Sequence, residues 1–269
     1  MSDEARAVVA DVLAKGEVDG VLCLREEDGA VGPHYYRQGD DMDGLVLSPK
    51  YALPLVIRWF HQNSPDTRVG AVLRSCEERA LVELAKRRQV DLEMVEVIGL
   101  ACTEEEAKEC GCVLGSPKSV MIGTPTDGLP ERRELRDLPP AEGGDRLAFW
   151  KTQYSKCIKC YGCRDVCPVC ACEVCMMAEH DWVRGGTLPP AFATFHLIKA
   201  YHMADRCVEC RECEAACPVS IPLAELYGRL LRDVEGRFGY VTGADVEERP
   251  PLLTTLMDEP ILEQEEGGG

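Results

Sequence analysis

The sequence has no long apolar run. No stretch approaches the roughly 18 apolar residues of a membrane helix. Residues 1–24 carry acidic side chains near their start and no long apolar core, which is not the pattern of a secretory signal. We therefore expect a soluble, cytoplasmic protein without direct membrane insertion. Disulfides are rare in that compartment, so 16 cysteines among 269 residues predict metal or redox chemistry.

Basic residues are also few relative to acidic ones. The chain has 30 Lys and Arg against 47 Asp and Glu, a formal net charge of -17. Such a surface repels nucleic acid and anionic membranes, so no nucleic-acid partner is expected. The sequence contains neither a G-x-G-x-x-G run nor a G-x-x-x-x-G-K-[ST] run. A Rossmann-type dinucleotide fingerprint and a P-loop are therefore both absent.

What the sequence does contain is one cysteine motif in two copies. C-x-x-C-x-x-C-x-x-x-C-P occurs at residues 157–168 and again at 207–218. This is the bacterial ferredoxin run for 4Fe-4S clusters, in which the fourth cysteine binds the neighbouring cluster. The motif predicts two clusters, with ligands Cys157, Cys160, Cys163 and Cys217 for the first and Cys207, Cys210, Cys213 and Cys167 for the second. Structural zinc is the alternative, although zinc sites generally use two separated cysteine pairs.

The length suits two modest domains. Apolar periodicity predicts a helix over 2–15, strands over 18–24, 44–47, 68–74 and 95–101, and helices over 51–62 and 75–88. This alternation predicts an α/β domain over 1–115 with a mostly parallel sheet covered on both faces. A Pro- and Gly-rich connector follows over 116–145, then a mainly helical dicluster ferredoxin domain over 146–240. Residues 241–269 are expected to form an extended acidic tail that either covers a partner or stays disordered.

Two capping-box pairs follow directly after predicted strands, namely Ser75 with Glu78 and Thr103 with Glu106. The carboxyl ends of parallel strands share one edge, so Cys76 and Cys102 can converge there. A helix amino terminus also lowers the pKa of a nearby thiol. With two further cysteines from the next short segment, the set predicts a third cluster, bound by Cys76, Cys102, Cys110 and Cys112. The alternative is buried small side chains and incidental loop thiols.

Three more cysteines have dense C-x-C-x-x-C spacing and predict a further metal site, Cys170, Cys172 and Cys175. They lack a fourth ligand in sequence. Cys23, Cys76 or a partner subunit could supply it, or the three could replace members of the third set. Cys23 itself lies in an apolar strand and is expected in the core. The histidines nearby are expected to be structural or exposed: His180, His196 and His202.

The second half has helical patterns over 147–154 and 190–205, and after Pro218 with Ser220 as the cap. Helices around paired motifs favour the all-helical ferredoxin arrangement. Basic residues lie among the cysteines, where positive charge would raise a reduction potential: Lys159, Arg164, Arg206 and Arg211. Ordinary solvated surface explains each of them equally well.

Four motifs resemble the beta-subunit family of deazaflavin-dependent hydrogenases and dehydrogenases, which includes formate dehydrogenase beta subunits. They are GEVDGVL (16–22), SPKY (48–51), VLRSCEERAL (72–81) and IGLAC (98–102), and the resemblance covers about residues 16–112. Residues 157–175 and 202–223 are similar to the dicluster segments of formate dehydrogenase beta and heterodisulfide-reductase-associated subunits. In this family, Cys76 and Cys102 match family cysteines.

The resemblance implies an iron-sulfur subunit that relays single electrons within a multi-subunit cytoplasmic oxidoreductase of anaerobic metabolism. The complex would be of formate dehydrogenase, hydrogenase or heterodisulfide reductase type, with the other subunits as partners and no catalytic residue in this chain. The alternative is an FAD-containing subunit that itself reduces a deazaflavin or another soluble carrier. The long C-terminal portion of flavin-bearing members has no counterpart here, which weighs against FAD. A zinc-stabilised scaffold is a third alternative.

Overall fold

The structure is a computed structural model that describes residues 1–129, 145–177, 187–188 and 194–253. In its first part a five-stranded sheet alternates with helices. The elements are α1 (Ser2–Lys15), β1 (Gly20–Glu27), β2 (Ala30–Tyr36), β3 (Leu45–Val46), α2 (Leu53–Asn63), β4 (Val69–Leu73), α3 (Ser75–Lys86), β5 (Val95–Gly99) and α4 (Glu104–Cys110). The α/β class that the sequence predicts is confirmed.

The sheet is mixed rather than mostly parallel, which corrects the expectation. Its order is β2-β1-β4-β5, and β3 also pairs with β1. The β1–β4 and β4–β5 pairs are parallel, whereas β2 and β3 run antiparallel to β1. The strand that the sequence analysis missed is β2. Asp28 and Gly29 take positive φ angles of 52° and 77°. Two such residues form the tight turn that returns the chain beside β1.

Helices cover both faces of the sheet. Successive strand residues point to opposite sides, so the strands present apolar side chains to a core on each face. Val21 and Cys23 of β1 pack in the core that includes Val9 and Val12 of α1. The alternate residues of the sheet pack in a second core with α2 and α3. Cys23 therefore lies in the core, as predicted. The carboxyl ends of the parallel strands β4 and β5 lead directly into α3 and the segment before α4.

The chain after β5 extends this edge of the sheet. The backbone N–H groups of Met121 and Ile122 donate to the Gly99 carbonyl at 2.9 and 3.0 Å. A Cβ atom at Gly99 would lie 1.8 Å from the Ser119 carbonyl oxygen, so no larger residue fits this close approach. Ile122 is fully buried in the first core. Part of the segment predicted as an irregular connector thus packs on the sheet.

The described residues after 129 contain helices and no strand. They are α5 (Asp145–Ser155), α6 (Gly162–Asp165), α7 (Thr194–Met203), α8 (Glu212–Ala215) and α9 (Leu223–Phe238). The predicted Ser220 cap is wrong, because α9 begins after Pro222 and Ser220 has a φ of 51°. Within the described ranges, no helix has the length and apolar character needed to cross a bilayer.

The two parts share buried contacts through α3. Cys76 and Ala80 of α3 lie in one apolar core with the two cysteine motifs, α7 and the start of α9. Glu83 accepts hydrogen bonds from the Tyr240 hydroxyl at 2.6 Å and from the Gly243 backbone N–H at 2.7 Å. The described part of the predicted tail, up to residue 253, therefore begins against α3 rather than as a free arm.

Candidate metal centres

The two ferredoxin-type motifs have the same backbone conformation. Lys159 and Glu209 have φ angles of 53° and 55°, and Tyr161 and Arg211 have φ angles of 59° and 63°. A four-residue helix follows in each copy, α6 or α8. The left-handed residues turn backbone N–H groups toward the sulfurs, as where Lys159 donates to Cys157 Sγ at 3.4 Å. Hydrogen bonds to sulfur are one of the features that set the potential of an iron-sulfur site.

The first predicted ligand set comes together around one small cavity. Its lining includes all four cysteines of that set, Cys157, Cys160, Cys163 and Cys217. Burial raises the pKa of Cys163 to about 12, and the neighbouring thiols of the same set raise it as well. Cys217 comes from the second motif, so the two motifs cross here. Cys160 is the exposed member of the set.

The second predicted set shows the reciprocal crossing. Burial raises the pKa of Cys207 to about 12, and Cys167 of the first motif raises it further. Burial also raises the pKa values of Cys210 and Cys213 well above the ordinary range, and Cys167 again contributes to both. Thiols packed this way disfavour one another's thiolate form. A bound cationic metal removes that penalty, because it stabilises the thiolates that bind it.

Two buried polar groups between these sets support an anionic occupant. The Lys199 ammonium and the Tyr227 hydroxyl are both buried, and neither has a hydrogen-bond partner in the structure. An iron-sulfur cluster with thiolate ligands would supply acceptors to both groups, so the residues present fit such a cluster. Among the described residues, no group of three or more His, Cys, Asp or Glu is placed to hold a single metal ion.

The third predicted set lines a cavity of about 530 Å³ between the two parts of the chain. Its walls carry all four of its cysteines together with one from the second set, namely Cys76, Cys102, Cys110, Cys112 and Cys210. Burial raises the pKa of Cys76 to about 12 and that of Cys102 to about 11. The edge formed by the parallel strands thus brings these thiols together, and it also brings them beside the second motif.

The helices that present these thiols are capped differently from each other. Thr103 and Glu106 form the predicted capping box, with bonds of 2.9 and 3.1 Å. The predicted Ser75–Glu78 pair is wrong, because α3 begins at Ser75 itself. There the Arg74 backbone N–H donates to Glu77 Oε2 at 2.8 Å, one residue earlier than predicted.

Lys50 joins the cavity to the second motif. Its Nζ lies 3.1 Å from Cys110 Sγ, 2.8 Å from the Cys210 carbonyl oxygen and 3.1 Å from Glu212 Oε1. Burial by itself would lower the pKa of Lys50, but Cys76, Cys110 and Glu212 outweigh it, so the pKa is raised. The sequence analysis did not single out this lysine as a site residue. The available signal was its place in the SPKY motif.

The three densely spaced cysteines line another cavity, of about 500 Å³. Cys170, Cys172 and Cys175 share it with Arg58 and Arg164. Burial raises the pKa of Cys170, and Cys167, Cys172 and Cys175 contribute to the rise. Neither Cys23 nor Cys76, the two intramolecular candidates for a fourth ligand, lines this cavity. Cys23 instead contacts the Val46 carbonyl in the sheet.

The nearby histidines have varied surroundings. His196 is buried against the Tyr154 ring, with 4.6 Å between ring centroids, and it lines the cavity of the first set. Burial lowers the pKa of His196 to about 4, so its ring is neutral at pH 7. His202 is half-buried. His180 lies outside the described residues.

Three of the predicted basic neighbours are paired with carboxylates. Arg211 binds Glu214 at 2.9 Å and Glu225 at 2.6 Å, and Arg164 binds Asp165 at 2.7 Å. These carboxylates therefore balance part of the positive charge that would otherwise act on the cysteine ligands. Arg206 lies beside Asp205 at 3.9 Å.

Together, these observations describe a mixed α/β part joined to a helical part that carries paired ferredoxin-type cysteine motifs. No protein-family model matches the chain. Over 108 residues, 40% of this chain, it is 41% identical to the "F420-dependent formate dehydrogenase subunit beta" of Methanocaldococcus jannaschii, covering 28% of that protein. Over 104 residues, 39% of this chain, it is 44% identical to the "F420-dependent formate dehydrogenase 1 subunit beta" of Methanococcus maripaludis, covering 26% of it.

These matches confirm the resemblance to the formate dehydrogenase beta-subunit family that the sequence motifs predicted. The chain spans about a quarter of the length of these curated relatives.

Proposed function

We propose that this protein is an electron-transfer subunit that relays single electrons within a multi-subunit oxidoreductase of the formate dehydrogenase type. A 4Fe-4S cluster bound by thiolates exchanges one electron at a potential set by its surroundings. The chain would hold two such clusters through its ferredoxin-type motifs. A third would lie in the cavity between the parts, and Cys170, Cys172 and Cys175 are candidate ligands for a further site.

The observation that carries this proposal is that the three cysteine sets are contiguous. Cys210 of the second set lines the same cavity as Cys76 and Cys102 of the third. Cys167 belongs to the first motif, whose other three cysteines are in the first set, but it is a neighbour of Cys207 in the second set. Redox centres that relay electrons have to lie close together, and a structural zinc scaffold has no such requirement.

The contacts between the sets suggest the order of the centres. The second set adjoins the cavity of the third through Cys210, and it adjoins the first motif through Cys167. The first set reaches the surface at Cys160, beside the half-exposed Ile158. Electrons would thus enter or leave near Cys160, and the second set would connect the two ends.

The cysteines of the third set favour a cluster over a flavin. Four thiols line the same cavity, namely Cys76, Cys102, Cys110 and Cys112. Four cysteine thiolates are the usual ligands of a 4Fe-4S cluster, whereas binding a flavin requires none of them. Absence of a flavin band released on denaturation is the expected result for the purified chain, and a stoichiometric flavin would favour the alternative carrier-reducing subunit.

The proposal is tested with Cys160→Ser and Cys210→Ser in the complex purified under anaerobic conditions. Each variant is expected to lose one cluster and the electron flow between subunits, while the active-site subunit still reduces artificial dyes. Cys23→Ala is the matched control, because Cys23 is a buried cysteine in the sheet core that lines none of the cavities of the cysteine sets. Physiological electron flow that persists in both serine variants would contradict the proposal.

A further inference from the structure

Lys199 is a buried cation for which the described residues provide no anionic partner. It lies on α7 with 0% of its surface exposed, and its Nζ has no hydrogen-bond partner. Its Nζ lies 5.8 Å from the centroid of the Tyr227 ring on α9. An isolated ammonium is strongly destabilising in a protein interior, so a buried lysine without a counter-charge indicates an anion nearby.

The groups around Lys199 come from both ferredoxin-type motifs. Its electrostatic neighbours are Cys163 and Cys167 of the first motif, Cys213 of the second, and Cys170. The helix α7, which carries Lys199, packs against both motifs, and Cys167 Sγ lies 3.7 Å from Sδ of Met203 on that helix. The Tyr227 hydroxyl faces the same groups, since Cys213 and Cys163 are among its electrostatic neighbours. Lys199 therefore lies between the two predicted ligand sets.

Other basic side chains near the motifs do not share this situation. Arg211 and Arg164 have carboxylate partners, and Lys50 binds Glu212. Their charge is largely balanced within the protein. Lys199 lacks such a partner in the described chain, so its charge is available to a ligand.

We propose that Lys199 is an internal counter-ion shared by the two predicted 4Fe-4S clusters, and that it raises the reduction potentials of both. This inference rests on the proposed function. A reduced cluster carries one more negative charge than an oxidised one, so a nearby fixed cation favours the reduced form. Lys199 would thus be a positioning residue that keeps both clusters reducible at similar potentials.

The test is a redox titration, followed by electron paramagnetic resonance, of the anaerobically purified full chain and its variants. Lys199→Met removes the charge and keeps a long unbranched side chain. We expect unchanged iron content and a negative shift in the midpoint potentials of both clusters. Lys199→Arg keeps the charge and should leave both potentials close to those of the wild type. Tyr227→Phe removes a hydroxyl without a charge and should shift them less than Lys199→Met.

Full iron loading of Lys199→Met with unchanged potentials would overturn the proposal, as would a shift confined to one cluster. If Lys199→Met loses iron while Lys199→Arg retains it, the positive charge is needed for loading and the proposal is supported. If both variants lose iron equally, iron loading depends on the shape of the side chain rather than on its charge, and the proposal fails. A wild-type chain without iron would instead contradict the proposed function itself.

Discussion

At the residue scale, Glu83 connects the two parts of the chain. Its carboxylate is 0% exposed and accepts from Tyr240 and Gly243, and it also pairs with Lys86 at 3.2 Å and with Arg87. Arg87 in turn binds Asp205 at 3.1 Å. One acidic side chain on α3 therefore fixes the segment after α9, because a buried charge is stable only when its hydrogen bonds are satisfied.

Glu83→Ala should lower the free energy of unfolding by about 3–5 kcal/mol, since it removes the carboxylate partner of the buried Lys86 and leaves Arg87 with Asp205 alone. Tyr240→Phe should cost about 2 kcal/mol, because it removes the hydrogen bond that the hydroxyl donates to Glu83 and the one that it accepts from Lys86. Thermal unfolding of the anaerobic protein measures both. The exposed Glu27→Gln serves as the control and should change little. Equal midpoints for Glu83→Ala and the wild type would refute this role of Glu83.

At the element scale, the repeated motif folds as two similar units. The spacing of the motif and its trailing proline predict that the two units exchange their fourth cysteine. Each unit has left-handed residues at equivalent positions, followed by a four-residue helix. Replacing the fourth cysteine of one unit should therefore affect the cluster whose other three ligands come from the other unit.

Cys167→Ser should remove the same paramagnetic signal as Cys213→Ser, although Cys167 lies in the first motif. Cys163→Ser is the control and should remove the other signal. Electron paramagnetic resonance of the three reduced variants makes the comparison. If Cys167→Ser instead matches Cys163→Ser, the motifs do not cross and the ligand assignment is wrong.

The elements also show where sequence reasoning succeeds and where it stops. The Asp28–Gly29 turn was a recognisable hairpin signal, and overlooking it led to the expectation of a mostly parallel sheet. The capping pair of α3 lies one residue earlier than predicted, because Glu77 rather than Glu78 accepts a hydrogen bond from the Arg74 backbone N–H. The SPKY motif was the one sequence signal for Lys50, and it gave no indication of the partners Cys110 and Cys210, which lie 60 and 160 residues away. Lys199 could not be found by pattern, because its neighbours come from both motifs at once.

At the scale of the whole molecule, the cavity between the two parts connects the sheet edge to the ferredoxin-type motifs. Lys50 spans it, bonded to Cys110 on one side and to the Cys210 carbonyl on the other. The α/β part therefore does more than carry the motifs, since it supplies a cysteine set of its own next to theirs. Neither part contains the whole array of cysteines.

Cys102→Ser should lower the iron content by about four atoms per chain, the content of one cubane, and leave the signals of the other two clusters in place. Iron analysis with acid-labile sulfide measures the change, and Cys23→Ala should show none. An iron content that is the same in Cys102→Ser and in the wild type would show that the third set does not hold a cluster.

The most direct measurement is the iron and acid-labile sulfide content of the wild-type chain, purified without oxygen and shown to be folded. Two cubanes on the paired motifs require about eight of each per chain, and the cavity set raises the number to about twelve. We predict about twelve of each, in a brown protein. A folded, colourless chain with little iron or sulfide would contradict the central claim that these cysteines hold clusters.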